Sequence, residues 1–227
     1  MHIVIPPASS GGRTSGDSEI EIRADQIVHW IGITAGPIAV GLLIGVLVRE
    51  HAASRLWPGV IYGCALLAML GCSAAYNLAR GSSHRELLRR LDHAAIFLMI
   101  AGTYTPFMTS IPGSMEARGL LTAVWCVAIA GAAAKLLFPR RLEGISIPLY
   151  LLLGWAIMIA LGPLMASVTL TTVVLLAVGG VLYTTGVVFH VWEALPFNKA
   201  VWHGLVVAAA ACHYCAVLYG VALAPAL

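Results

Sequence analysis

Seven stretches of about twenty apolar residues, at 27–48, 58–79, 92–111, 119–138, 146–166, 168–190 and 200–224, dominate this chain. Each matches the roughly 20 helical residues that cross a hydrocarbon core. No water inside a bilayer can satisfy a free backbone N–H or C=O, so segments of this length and character must be helices. A composition 60% hydrophobic and 10% charged excludes a water-soluble globule, for which about 45–50% and 25% are usual. The 227 residues accommodate seven spans and short loops but no second folded domain. The expected architecture is all-α, a seven-transmembrane-helix bundle forming a single membrane domain over 26–227.

The fifth and sixth stretches are separated only by uncharged residues from Gly162-Pro163 to Ser167. Together they are too long for one span, so a break is expected there. Residues 1–25 contain Pro6, Pro7, a Ser/Gly-rich run and the acids Asp17, Glu19, Glu21 and Asp25. They read as a flexible tail. They lack the basic start, short apolar core and small-residue cleavage site of a secretory signal, so the first span is expected to be retained.

Ten basic residues (Arg13, Arg23, Arg80, Arg85, Arg89, Arg90, Lys135, Arg140, Arg141 and Lys199) fall on the N-terminal side of the bundle, against Arg49, Arg55 and Arg118 opposite. The positive-inside rule then places the tail in the cytoplasm and the C-terminus outside. A net charge of +3 is too small and too scattered for nucleic-acid binding. Membrane lipids are the expected partners, one of them as a ligand. All five cysteines lie within apolar runs, where thiols pack rather than form a disulfide framework.

Ionisable groups within membrane helices are costly enough to be functional candidates. His29, Asn77, Asp92, His93, His190, Lys199 and His203 all fall near the cytoplasmic ends of their spans. Ser73 and Asn77 are four residues apart, as are Lys199 and His203, so each pair occupies one helix face. With Asp92 they define a candidate polar cavity. Ser83-x-x-Glu86 has the form of a capping box opening a basic amphipathic segment on the inner leaflet. Trp57 and Trp202 suit interfacial positions, and Gly32-x-x-x-Gly36 and Gly41-x-x-x-Gly45 permit close helix contact. Cys212-His213-Tyr214-Cys215 lies mid-span with its side chains spread around the helix, and reads as packing.

The strings SAAYN (73–77), RRLDHAAIFLMIAGTYTPF (89–107) and AVWHGLVVAAAACHYCAV (200–217), with VHWIG (28–32), resemble the hemolysin III family, within the progestin and adipoQ receptor (adiponectin receptor-like) superfamily. The resemblance implies seven helices with an internal N-terminus. It also implies zinc near the inner leaflet, bound by a histidine of a Ser-x-x-x-His pattern and two of a His-x-x-x-His pattern. An aspartate holds the metal's water, and lipid amide hydrolysis is the implied chemistry. Ser73, Asp92 and His203 match that pattern, with Asp92 and Ser73 in the catalytic positions and His203 as the metal ligand. Asn77 and Lys199 stand where the other two histidines belong.

An amide oxygen is a poor zinc donor and an ammonium repels the cation, so a degenerate site without tight zinc is expected. The function expected from this departure is a non-catalytic role in membrane homeostasis or sensing. The alternative is a metal-dependent, ceramidase-like lipid hydrolase, and a third reading is a pore-forming hemolysin.

Overall fold

The computed structural model describes residues 18–50, 53–138 and 144–224. The N-terminal tail to residue 17 lies outside these. Within them the chain is all-helical: α1 (Glu19–Arg49), α2 (Ala53–Leu78), α3 (Arg85–Thr109), α4 (Met115–Leu137), α5 (Ser146–Trp155), a 3₁₀ turn (Ala156–Ala160), α6 (Leu161–Ser167), α7 (Leu170–Val191), α8 (Asn198–Val217) and a π turn (Leu218–Ala222). α5, the 3₁₀ turn and α6 form one broken rod, and α8 with the π turn another, giving seven rods in all.

Six of the rods are long and apolar enough to cross a membrane. Outward-facing Ile38, Leu42, Leu152, Ile159, Val174 and Val181 are largely exposed, and hydrocarbon is the only solvent that accepts so much apolar surface. The rod that falls short is α3. It is also the most enclosed, with Phe97, Met99 and everything from Ala101 to Met108 buried. A helix surrounded by other helices need not present an apolar face to lipid, so Thr103 and Thr105 are tolerated there. Their hydroxyls bond back to the Met99 and Ala101 carbonyls, each at 2.9 Å.

Local chemistry sets several boundaries differently from the sequence reading. α1 begins at Glu19 rather than after residue 25, because Ser18 and Glu21 form a reciprocal capping box: Glu21 N–H donates to Ser18 Oγ and Ser18 N–H to Glu21 Oε2. The capping box expected at Ser83 does not form. Ser83 pairs instead with the His84 ring, and Glu86 is drawn to Arg89 and Arg90 one turn on. The basic segment is therefore the first turns of α3, continuous with it. The break between the fifth and sixth stretches falls at Val168, which is extended, and Thr169 caps α7.

Close packing converges on glycines. A Cβ at Gly102 would lie 2.5 Å from Ala65 Cβ, and one at Gly36 2.7 Å from Leu70. Gly32 and Gly36 thus seat α1 on α2, whereas Gly41 and Gly45 face open space. Trp202 packs on Gly186 and against the His190 ring. The 3₁₀ turn frees carbonyls at the end of α5, and the Tyr104 hydroxyl donates to that of Leu153 at 2.8 Å, tying the broken rod to α3.

Candidate functional site

Three helices carry polar residues in i, i+4 pairs at one end of the bundle. On α1 the pair is Asp25 and His29, on α2 Ser73 and Asn77, and on α8 Lys199 and His203. Packing of α1 against both α2 and α8 turns these faces toward a shared space. Asp25 Oδ1 lies 2.6 Å from His203 Nδ1 and 3.7 Å from His29 Nε2. The two imidazole rings are tilted together with centroids 4.4 Å apart. Arg80, from the loop after α2, approaches the other carboxylate oxygen, Oδ2, at 3.8 Å.

The cluster is deeply enclosed, with Asp25 and His29 side chains only 2% and 6% exposed. Even so, neither Asp25 Oδ2 nor His29 Nε2 has a hydrogen-bond partner among the described residues. Such unmatched buried polar atoms are uncommon because each costs about 1–3 kcal/mol in lost hydration.

The cluster opens into a cavity of about 630 Å³, within the ~300–1,000 Å³ range typical of small-molecule sites. His29, Ser73, Asn77, Asp92, His93, Lys199 and His203 all contribute to its wall. Ser73 is the polar neighbour of the Asp92 carboxylate. Further along, the wall becomes apolar: Leu70, Ile96, Met99, Ile157, Leu164 and Val206 line it. Arg85 and Phe107, at opposite ends of α3, both border the cavity, so it runs about 33 Å along that helix at 1.5 Å per residue. It also reaches the seam between α5 and α7, where the Trp155 indole N–H donates to Thr184 Oγ1 at 3.1 Å.

His190 and His213 also border this cavity. The His190 ring is tilted against Trp202. His213 meets the Leu176 carbonyl and the Tyr183 ring, while Tyr214 donates to the Ala39 carbonyl. The Cys212–Cys215 run is therefore spread over different neighbours, and all five cysteines are free thiols.

Sequence reasoning missed Asp25, which it placed in the tail, and it counted Arg80 and Lys135 only for topology. Lys135 is 2% exposed in α4 and also lines the cavity. The signal for Asp25 was present: it stands four residues before His29, the same spacing that marked the pairs on α2 and α8.

The positions that resemblance assigns to zinc carry an amide, an ammonium and one imidazole. The Asn77 amide N–H donates to the Ser73 carbonyl at 2.9 Å, which leaves only a weak amide oxygen. Lys199 brings an ammonium. His203 is the one strong donor of the three, and its Nδ1 faces Asp25.

The profile of the haemolysin-III related family matches residues 23–214. The chain is 33% identical over 196 residues to the hemolysin-3 homolog of Bacillus subtilis (strain 168), covering 86% of this chain and 92% of that protein. It is 35% identical over 196 residues to hemolysin-3 of Bacillus cereus, covering 86% and 90%. It is also similar to the human monocyte to macrophage differentiation factor, at 25% identity over 191 residues, 79% of this chain and 78% of that one.

Proposed function

The chain belongs to the haemolysin III-related family, within the progestin and adipoQ receptor superfamily, and from that premise we propose that it is an integral membrane hydrolase of a lipid acyl bond. Its membrane on this reading is the bacterial cytoplasmic membrane, with seven spans and the polar end of the cavity at the inner leaflet. The observation that carries the reading is the 2.6 Å Asp25–His203 pair at the polar end of a long, mostly apolar cavity. An acyl chain fits the apolar length, and the bond to be broken then lies among the polar groups.

Each group has a role that its position supports. Asp25 holds the His203 imidazole in one orientation and one tautomer, with Nδ1–H toward the carboxylate. That leaves Nε2 to take a proton from water. The water oxygen bonds to the acyl carbon, and the bond from that carbon to the amine or alcohol breaks. Asp92, beside Ser73 in the same wall, returns a proton to the leaving group. The products are a fatty acid and an amine or alcohol. Enclosure among helices excludes bulk water and strengthens each electrostatic contact.

The test is turnover of a fluorescent lipid amide and its ester analogue by purified protein in detergent, with His203→Ala and Asp92→Ala as comparisons. Release of fatty acid that both substitutions abolish supports the proposal. Equal release by wild type and variants would defeat it.

A second reading is the non-catalytic one, a member acting in membrane homeostasis or sensing. Asn77 and Lys199 at the inherited ligand positions favour it. Lipid that co-purifies with the protein and is never cleaved is its signature. A pore is the weakest reading, since a conducting lumen needs a polar lining throughout and this cavity wall is apolar for most of its length.

A further inference from the structure

The amide and ammonium at the inherited zinc positions direct attention to the donors that α1 supplies. We propose that Asp25, His29 and His203 form a divalent-cation site of the zinc type, with two ligands drawn from α1 in place of Asn77 and Lys199. One ligand-capable atom from each of the three residues lies within 4.8 Å of the other two. Two imidazoles and a carboxylate around an open fourth position are a donor set that zinc accepts.

The spacing fits such an ion. Donors about 2.0–2.1 Å from a tetrahedral centre stand roughly 3.3 Å from one another. The observed separations from Asp25 Oδ1, 2.6 Å to His203 Nδ1 and 3.7 Å to His29 Nε2, bracket that value. Sub-ångström rotations of side chains would equalise them, with the ion replacing the proton shared by Asp25 and His203.

A second observation points the same way. His29 Nε2 is buried without a hydrogen-bond partner among the described residues, although it faces a carboxylate. A metal ion would satisfy it. Arg80 approaches Oδ2 rather than Oδ1, so the oxygen turned toward both imidazoles is not the one the guanidinium approaches.

This inference concerns the site named above but does not depend on turnover. When bound, the ion would supply Lewis acidity, and His203 would then act as a ligand, leaving Asp92 as the proton acceptor. Metal bound without hydrolysis would sustain this inference and sink the hydrolase; hydrolysis by a wild type that takes up no zinc on incubation would do the reverse.

The experiment is elemental analysis of the full chain, purified in detergent without a polyhistidine tag or chelator, before and after incubation with zinc. About one zinc per chain is expected, with loss to background in Asp25→Asn, His29→Gln and His203→Ala and retention in Asn77→Ala. Thermal melting with and without zinc guards against misfolding: zinc should raise the wild-type melting temperature and leave that of His29→Gln unchanged. No zinc in the wild type after incubation would overturn the proposal. Undiminished zinc in His29→Gln would overturn it equally, by placing the ion elsewhere.

Discussion

Asp25 and His203 are separated by 178 residues, yet the carboxylate and the imidazole meet at 2.6 Å. The contact joins the first and last membrane rods. A buried carboxylate this close to an imidazole orients the ring, so the pair fixes both the register of α1 on α8 and the direction in which His203 presents its other nitrogen.

Replacing Asp25 by Asn keeps the shape but removes the charge. Lipid turnover is expected to fall on the order of 10²-fold or more in kcat, with little change in KM, because a proton-transfer group loses its orientation. Asp25→Glu should recover part of the loss. A change confined to KM would show that Asp25 only shapes the binding cavity.

Gly102 is where α3 touches α2. Gly102→Ala places a methyl 2.5 Å from Ala65 Cβ, and relief requires moving backbone. Gly102→Val should lower stability by about 1–3 kcal/mol, the usual cost of overpacking, read as a lower melting temperature in detergent. Ala65→Gly should rescue much of the Gly102→Ala loss, since neighbouring substitutions are not additive.

Arg55, at the start of α2, donates to the Val221 and Ala224 carbonyls at 3.0 and 2.6 Å. These acceptors sit at the end of the last rod, where carbonyls have no helical partners and the dipole favours a cation. Arg55→Ala is expected to cost about 1.5–3 kcal/mol, as charged hydrogen bonds do, and to speed amide exchange over 218–224. Both bonds come from one guanidinium nitrogen, Nη1, so Arg55→Lys, whose ammonium also carries several N–H donors, should recover part of the loss. Unchanged exchange at the C-terminus would remove this role.

The ten-to-three distribution of basic residues predicts a cytoplasmic N-terminus and an external C-terminus. A C-terminal alkaline phosphatase fusion should be active and a C-terminal green fluorescent protein fusion dark. The opposite pattern would reverse the orientation and place the polar end of the cavity on the outer face.

The seven apolar stretches of the sequence specify the architecture, because a bilayer leaves an apolar segment of that length no alternative to a helix. Ser73, Asn77, Asp92 and His203 were legible as a group for a related reason: polar side chains are costly in hydrocarbon, so their depth marks them. Boundaries were less legible. Ser83 and Glu86 have the right spacing for a cap, but nearby Arg89 and Arg90 offer Glu86 a stronger partner. Ser18 and Glu21 form the cap that was not anticipated, and so carry Asp25 into an ordered helix.

What the sequence determined by itself, then, is a helical membrane bundle with a polar end, since hydropathy is a property of each segment alone. What only the tertiary structure decided is which polar residues meet. Helix periodicity gives the face of Asp25 and His29 on α1, but not that α8 packs there, nor that His203 turns Nδ1 toward that carboxylate. Those relationships depend on the rotation of each rod about its axis. That rotation is set by Gly36 against Leu70, Gly102 against Ala65 and Arg55 against the last carbonyls, contacts between residues far apart in the chain that no local pattern encodes.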